Sequence, residues 1–403
     1  MRVLITNMAN DGNRGDLAIL AGTTAAVRDA APGVHIEIAP TEIGRRENLD
    51  GPGMEHSAAL ADAALIASPV PSRVDDGWSP REWGERTARA LLGRHTGTRW
   101  LAQDVDERYR EAAASADLVI VKGGSYLFSY PGARQALFAA RMMHSIRVAR
   151  EVGTPSVVLG TSLGPVQRPL RGYFTRSLSS CRTVVTREEL SYEFATSTLG
   201  LRNARRGVDM AFALYQPQGA CAQHAGIALT PRELPFVDAG ARERYEGALT
   251  RTISMLLERT DERCYLTCQV DRDRALCERL LEAVGYPERV EIARVDQLAL
   301  DQVIKFYGER ELLIATRLHS VILAALGHTP SVVLECDPPK MIGISEQLGL
   351  ADWRLASARS EILDLPQRAL DAYEDRESKR SALGELLGAL AEQSRRQTAE
   401  MLG

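Results

Sequence analysis

The chain alternates between two periodicities. Short apolar runs rich in Val, Ile and Leu give way to loops of Gly, Pro, Asn or Asp, then to helical spacing, repeatedly along its length. Strands separated by helix-length crossovers pair in parallel and are covered by those helices on both faces. In the first half the spacing predicts strands at about 2–6, 34–39, 117–121, 155–160 and 182–186. Helices are predicted there at about 16–30, 56–67, 102–115, 132–151 and 187–198. The second half repeats the rhythm, with strands at about 225–230, 263–268, 289–292, 311–315 and 331–335. Its helices fall at about 238–258, 271–284, 298–307, 317–327 and 338–348.

At 403 residues the chain exceeds the reach of one ordinary core. The reading is α/β, with two Rossmann-type domains facing a cleft, 1–215 and 216–403, joined near Tyr215-Gln-Pro-Gln-Gly-Ala220. The segment 41–100 breaks the rhythm with Pro69, Pro71, Pro80, Trp78, Trp83 and Trp100. It reads either as a lid or acceptor platform, or as surface decoration with buried indoles. The polar, helix-favouring tail after about Ser360 either crosses back to clamp the domains or ends as a solvated helix.

Charge and composition exclude several functions. A formal charge of −4 without a basic, aromatic-bearing stripe argues against a nucleic-acid partner. No apolar run reaches bilayer length, and strand-like Met1–Thr6 follows no charged n-region and apolar h-region, so the chain reads as cytoplasmic and not transmembrane. Cys181, Cys221, Cys264, Cys268, Cys277 and Cys336 are scattered and complete no zinc pattern, which points to buried free thiols and to no metal.

In parallel sheets ligands sit beyond the carboxyl ends of strands. The first such end carries the loop Asn7-Met-Ala-Asn-Asp-Gly-Asn-Arg-Gly-Asp16, with Asn13 and Gly15 in it and Asp16 able to cap the apolar helix that follows at Leu17. That loop reads as an anion cradle or as a plainly capped turn. The third predicted strand ends in Lys122-Gly-Gly-Ser125, so Gly123, Gly124 and Ser125 offer close backbone approach and a hydroxyl; close helix–strand packing would equally require the glycines. The fourth ends in Thr161-Ser162, and Arg187 opens the helix after the fifth.

In the second half, Leu312-Leu-Ile-Ala-Thr-Arg317-Leu-His319 delivers a guanidinium and an imidazole to a helix start. Arg317 suits a carboxylate or phosphate, and an imidazole can exchange a proton near neutrality. The alternative is a surface ion pair and a packed histidine. Lys340, one of only four lysines, follows the next strand, so Arg317, His319 and Lys340 are expected to converge on one anion.

The ordered set Asn13-Arg-Gly-Asp16, Gly123-Gly-Ser125, Arg187-Glu188 with Ser191, Asp209, Arg317-Leu-His319 and Lys340 resembles the polysaccharide pyruvyl transferase family across residues 13 to 340. Ser125 stands where the family often has a third glycine, and Met210 follows Asp209 where it tends to have proline. The resemblance implies a GT-B-like pair of Rossmann domains and phosphoenolpyruvate as donor substrate, with no cofactor. The acceptor would be a sugar, glycolipid or nucleotide sugar, and the products a pyruvate ketal and phosphate. It implies His319 as proton donor, Arg317 and Lys340 on the donor anion and Asp16 as general base. Asn13, Gly15, Gly123, Gly124, Ser125, Thr161, Ser162 and Arg187 would bind substrate. A nucleotide-sugar glycosyltransferase, with Glu335 and Glu346 on the nucleotide, and a non-catalytic sugar- or partner-binding protein are the rival readings. The oligomeric state, a homo-oligomer included, stays open.

Overall fold

Strands buried on both faces need unbroken apolar runs, and the chain supplies them. The computed structural model describes residues 1–8, 11–41, 54–67, 104–217, 224–234, 237–285, 288–336 and 338–403. The first sheet is built from β1 (Arg2–Met8), β2 (His35–Pro40), β3 (Leu118–Lys122), β5 (Ser156–Thr161), β7 (Thr183–Thr186) and β8 (Ala204–Arg206). All pairings are parallel, in the order β2-β1-β3-β5-β7-β8. Every residue of β3 and β5 is buried.

The second sheet comprises β9 (Ile227–Thr230), β10 (Cys264–Thr267), β11 (Val290–Ala293), β12 (Leu312–Ala315), β13 (Ser331–Glu335) and β14 (Arg354–Ala356). It is also all-parallel, ordered β11-β10-β9-β12-β13-β14. Counted within the sheet this is 3-2-1-4-5-6, the Rossmann order, with its switch between β9 and β12.

The backbone forms two compact units. Met1–Asp11, Asp16–Ala213 and Glu392–Gly403 make the first; Gly12–Gly15 and Leu214–Ala391 make the second. The last turns of the helix Arg376–Leu402 therefore return to the first unit, as the crossing tail anticipated. There the Gln397 amide accepts from Val208 N and donates to Val208 O, both at 3.0 Å. Most of the irregular 41–100 segment, and the linker after Pro217, lie outside the described residues.

Some local expectations are corrected. The helix expected at 56–67 spans only Glu55–Leu60. Beyond it, Asp62 N and Ile66 N donate to Ile36 O and Ile38 O at 2.8 and 2.9 Å, so this stretch runs beside β2. The helix expected at 132–151 is two, Ala133–Met142 and His144–Val152. At the break, Asn7 Nδ2 takes the Met142 carbonyl at 3.0 Å, competing with the helical ladder. Asn7 itself has φ 65° beside a register shift in β1, a conformation asparagine tolerates better than most residues. A separate two-stranded sheet, β4 (Leu127–Ser129) with β6 (Leu163–Val166), was not anticipated.

His144 lies at that helix break, its Nδ1 3.0 Å from Arg147. Burial, and then the charges of Arg147 and Arg110, hold its pKa well below 6.5. Burial also lowers His224 and His328, with Arg380 adding to both. The unfolded chain thus binds protons that the folded chain refuses, so stability falls as pH drops through the ordinary histidine range. The fall levels off only below the folded values. Thermal melts between pH 7.5 and 5 should show this loss, shallower in His144→Gln; parallel profiles would remove His144 from the account.

Candidate functional site

In the first unit the carboxyl edge is densely paired. Asp11 fixes the start of the first loop, accepting from His56 N at 2.7 Å and from Ser57. Lys122 is wholly buried, and its Nζ reaches Asp16 Oδ1 at 3.0 Å and Gly123 O at 2.9 Å. A Cβ on Gly123 would overlap the Gly160 carbonyl, so glycine here answers the close approach of β5. Gly124, at φ 153°, lies against the Tyr126 ring, and its carbonyl accepts from Ser162 N and Thr161 Oγ1 at 2.9 and 3.1 Å.

Arg187, also wholly buried, gathers the neighbouring strand ends. It donates to Asp209 Oδ2 at 2.6 Å, Ser125 Oγ at 2.6 Å and Ser162 Oγ at 2.9 Å. Glu188 stands 3.8 Å from its Nε and bonds Ser191 and Ser162. Burial raises the Glu188 pKa, against the pull of Arg187 and the two hydroxyls. Asp16, Gly123, Gly124, Ser125, Thr161, Ser162 and Arg187 are thus assembled on one edge. Ser125 and Ser162 each accept a hydrogen bond from the Arg187 guanidinium.

In the second unit, β12 runs through a fully buried core and releases Thr316 and Arg317 at the switch point. Arg317 stands at the N-cap position of the helix Leu318–Leu326, and Ser320 Oγ donates to its carbonyl at 2.6 Å. Ser320 pairs with Thr230 at 3.0 Å, and Thr316 Oγ1 with the Tyr245 hydroxyl at 2.7 Å, which ties β9, β12 and the helix Ala239–Arg259 together. The Arg317 guanidinium, 8% exposed, turns toward the β10 side and donates to Asp273, itself 1% exposed. Lys340 rises on the other side, half-buried in the first turn of the helix Pro338–Gln347 that follows β13.

His319 follows on the first turn of the helix Leu318–Leu326. Within the same unit Gly15 packs against it: a Cβ at Gly15 would overlap the imidazole. Asn13 Oδ1 accepts from Gly15 N at 3.2 Å and shapes that turn. Glu335 and Glu346, the acids a nucleotide sugar would want, both meet Arg354, at 2.6 and 3.5 Å.

Asp273, Gln269 and Arg232 also border this edge and were not among the residues expected there. Arg232 borders the same edge, its Nη1 3.4 Å from Cys336 Sγ. The polar run Gln269-Val-Asp-Arg-Asp273 sits at the carboxyl end of β10, and the strand-end rule applied elsewhere would have found it. Among the described residues no cluster of His, Cys, Asp and Glu has metal-binding geometry, and no helix is long and apolar enough to cross a membrane.

Paired Rossmann-like domains define the GT-B-like class, and solved structures bear this out. A glycosyltransferase from Rickettsia africae matches with TM-score 0.58 at 11% identity, covering 100% of this chain and 98% of its own. UDP-GlcNAc 2-epimerase from Neisseria meningitidis matches with TM-score 0.59 at 11% identity and 100% of both chains. Anabaena Alr3699/HepE, solved with UDP and glucose, gives 0.58 at 14% identity over 100% and 99%. Likeness at such identities establishes the fold alone. The polysaccharide pyruvyl transferase model matches residues 13–338, and the chain belongs to that family. Amylovoran biosynthesis protein AmsJ of Erwinia amylovora is 26% identical over 301 residues, 68% of this chain and 70% of the relative.

Proposed function

We propose that the protein transfers the enolpyruvyl group of phosphoenolpyruvate to a sugar or sugar-like diol, forming a pyruvate ketal and releasing phosphate. The observation that carries this reading is the delivery of Arg317 and His319 together to the switch point of a Rossmann-ordered sheet, in a chain of this family. A proton passes to the donor methylene, which becomes a methyl group, while one acceptor oxygen bonds the adjacent carbon. The carbon–oxygen bond to phosphate then breaks and the second acceptor oxygen closes the ketal; of the two hydroxyl protons, one restores the proton donor and the other leaves on the phosphate. His319 is the proton donor in this scheme. Arg317 grips the donor anion, and Lys340 neutralises the departing phosphate as its charge grows. Asp16 serves as base for an acceptor hydroxyl, with Asn13, Gly123, Gly124, Ser125, Thr161, Ser162 and Arg187 shaping the acceptor side and Gly15 backing the His319 ring. The reaction needs no cofactor, and a sugar, glycolipid or nucleotide sugar would meet the acceptor's chemical requirement.

Two variants test the donor half. Arg317→Lys keeps the charge but loses the planar fork, so phosphoenolpyruvate should bind about 10–100-fold more weakly. Unchanged affinity by calorimetry would detach Arg317 from the donor. Gly15→Ala pushes a methyl group into the His319 ring; displacing a reacting group by about 1 Å costs on the order of 10²-fold in turnover. Wild-type turnover in that variant would separate the Gly15 turn from the imidazole's function.

A further inference from the structure

Beneath the carboxyl end of the second sheet, two buried donors lack acceptors among the described residues: Arg317 Nε and Gln269 Nε2. Their residues are 8% and 2% exposed. They belong to one connected cluster. Asp273 binds Arg317 through Oδ1 and accepts from Gln269 N and Val270 N through Oδ2, both at 3.2 Å. Tyr307, fully buried, donates its hydroxyl to Gln269 Oε1 at 2.8 Å. That bond commits the oxygen end of the amide to the protein and leaves the nitrogen end to a guest.

The topology makes the pair meaningful. Gln269 lies two residues beyond β10 and Arg317 two beyond β12, the strands flanking β9. Ligands of such sheets bind beside this switch. Buried donors without acceptors carry their full desolvation penalty, and only an acceptor removes it. One donor is a guanidinium, so the matching guest oxygen is anionic.

We infer that Gln269 is a second binding residue for the donor, sharing with Arg317 an oxyanion subsite that takes a carboxylate or phosphate oxygen. Assigning that anion to phosphoenolpyruvate rests on the proposed function; the subsite itself rests on the two donors. Asp273 is the positioning residue that locks Arg317 to the β10 loop. The Asp273 carboxylate is turned to the guanidinium and to backbone N–H groups.

The test is calorimetry on the 403-residue chain with phosphoenolpyruvate, inorganic phosphate and pyruvate as separate probes. Gln269→Met keeps the length and removes the donor; it should weaken phosphoenolpyruvate binding about tenfold, with KM rising alongside Kd. Gln269→Glu adds a like charge and should weaken it further. Tyr307→Phe only frees the amide to rotate and should give a smaller loss, which supplies a readout should a Gln269 variant fail to fold. The phosphate and pyruvate arms tell which end of the donor the subsite holds. Wild-type affinity for phosphoenolpyruvate in folded Gln269→Met overturns the inference and leaves the donor reading standing. Gln269-dependent binding of phosphate or pyruvate, with none of phosphoenolpyruvate, keeps the subsite and overturns that donor. If the wild type binds none of the three, both fall.

Discussion

His319→Ala should lower phosphate release from phosphoenolpyruvate by about 10²–10⁴-fold, the usual range for removing a positioned general acid. Donor affinity should change far less, because Arg317 and its Asp273 support remain in place. The split between turnover and binding is what distinguishes a proton donor from a ligand-holding residue. The ring is half-buried on the first turn of an apolar helix, so its loss removes little packing. Single-turnover phosphate release and calorimetry on the same preparation check the two halves. Full turnover in the variant would take His319 out of the mechanism; equal losses in turnover and affinity would make it a binding group.

The second large effect is structural. Arg187→Met should destabilise the first unit by about 3–5 kcal/mol, because it removes the guanidinium that Asp209 and Glu188 face in a fully buried setting. For a domain of this size that is a fall of roughly 6–20 °C in the unfolding midpoint. Serine hydroxyls at positions 125 and 162 would lose their bonded donor as well. A thermal melt settles it: a shift below about 2 °C would show that the network does not stabilise the fold. Such a result would leave the acceptor side as the one role proposed for Arg187.

Interior strands were legible because a parallel sheet imposes apolar runs, and β3, β5, β9 and β12 each carry one inside a fully buried strand. The three-residue edge strands β8 and β14 were not. They read Ala-Arg-Arg and Arg-Leu-Ala, too short for a period and charged as exposed edges are. The short β4 and β6 were hidden likewise, with Gly164 and Pro165 in β6 resembling a loop. At the candidate site, strand-end placement made Arg317, His319 and the Gly123-Gly124 pair visible. Partners were another matter. Asp273 lies 44 residues from Arg317, Ser125 62 from Arg187 and Lys122 106 from Asp16, and nothing local announces such pairs. They follow from sheet order, which a single sequence leaves open.

The nucleotide-sugar alternative shares the fold, and fold does not decide chemistry. It would need acids for a ribose, and both Glu335 and Glu346 are engaged by Arg354. Substrate dependence separates the readings directly. The decisive measurement is phosphate release by the wild-type protein from phosphoenolpyruvate across diol-bearing glycosides, glycolipids and nucleotide sugars. Acceptor-dependent release is expected, one phosphate per ketal formed, lost in His319→Ala. Absence of release with every acceptor, alongside turnover of a nucleotide sugar, would contradict that expectation.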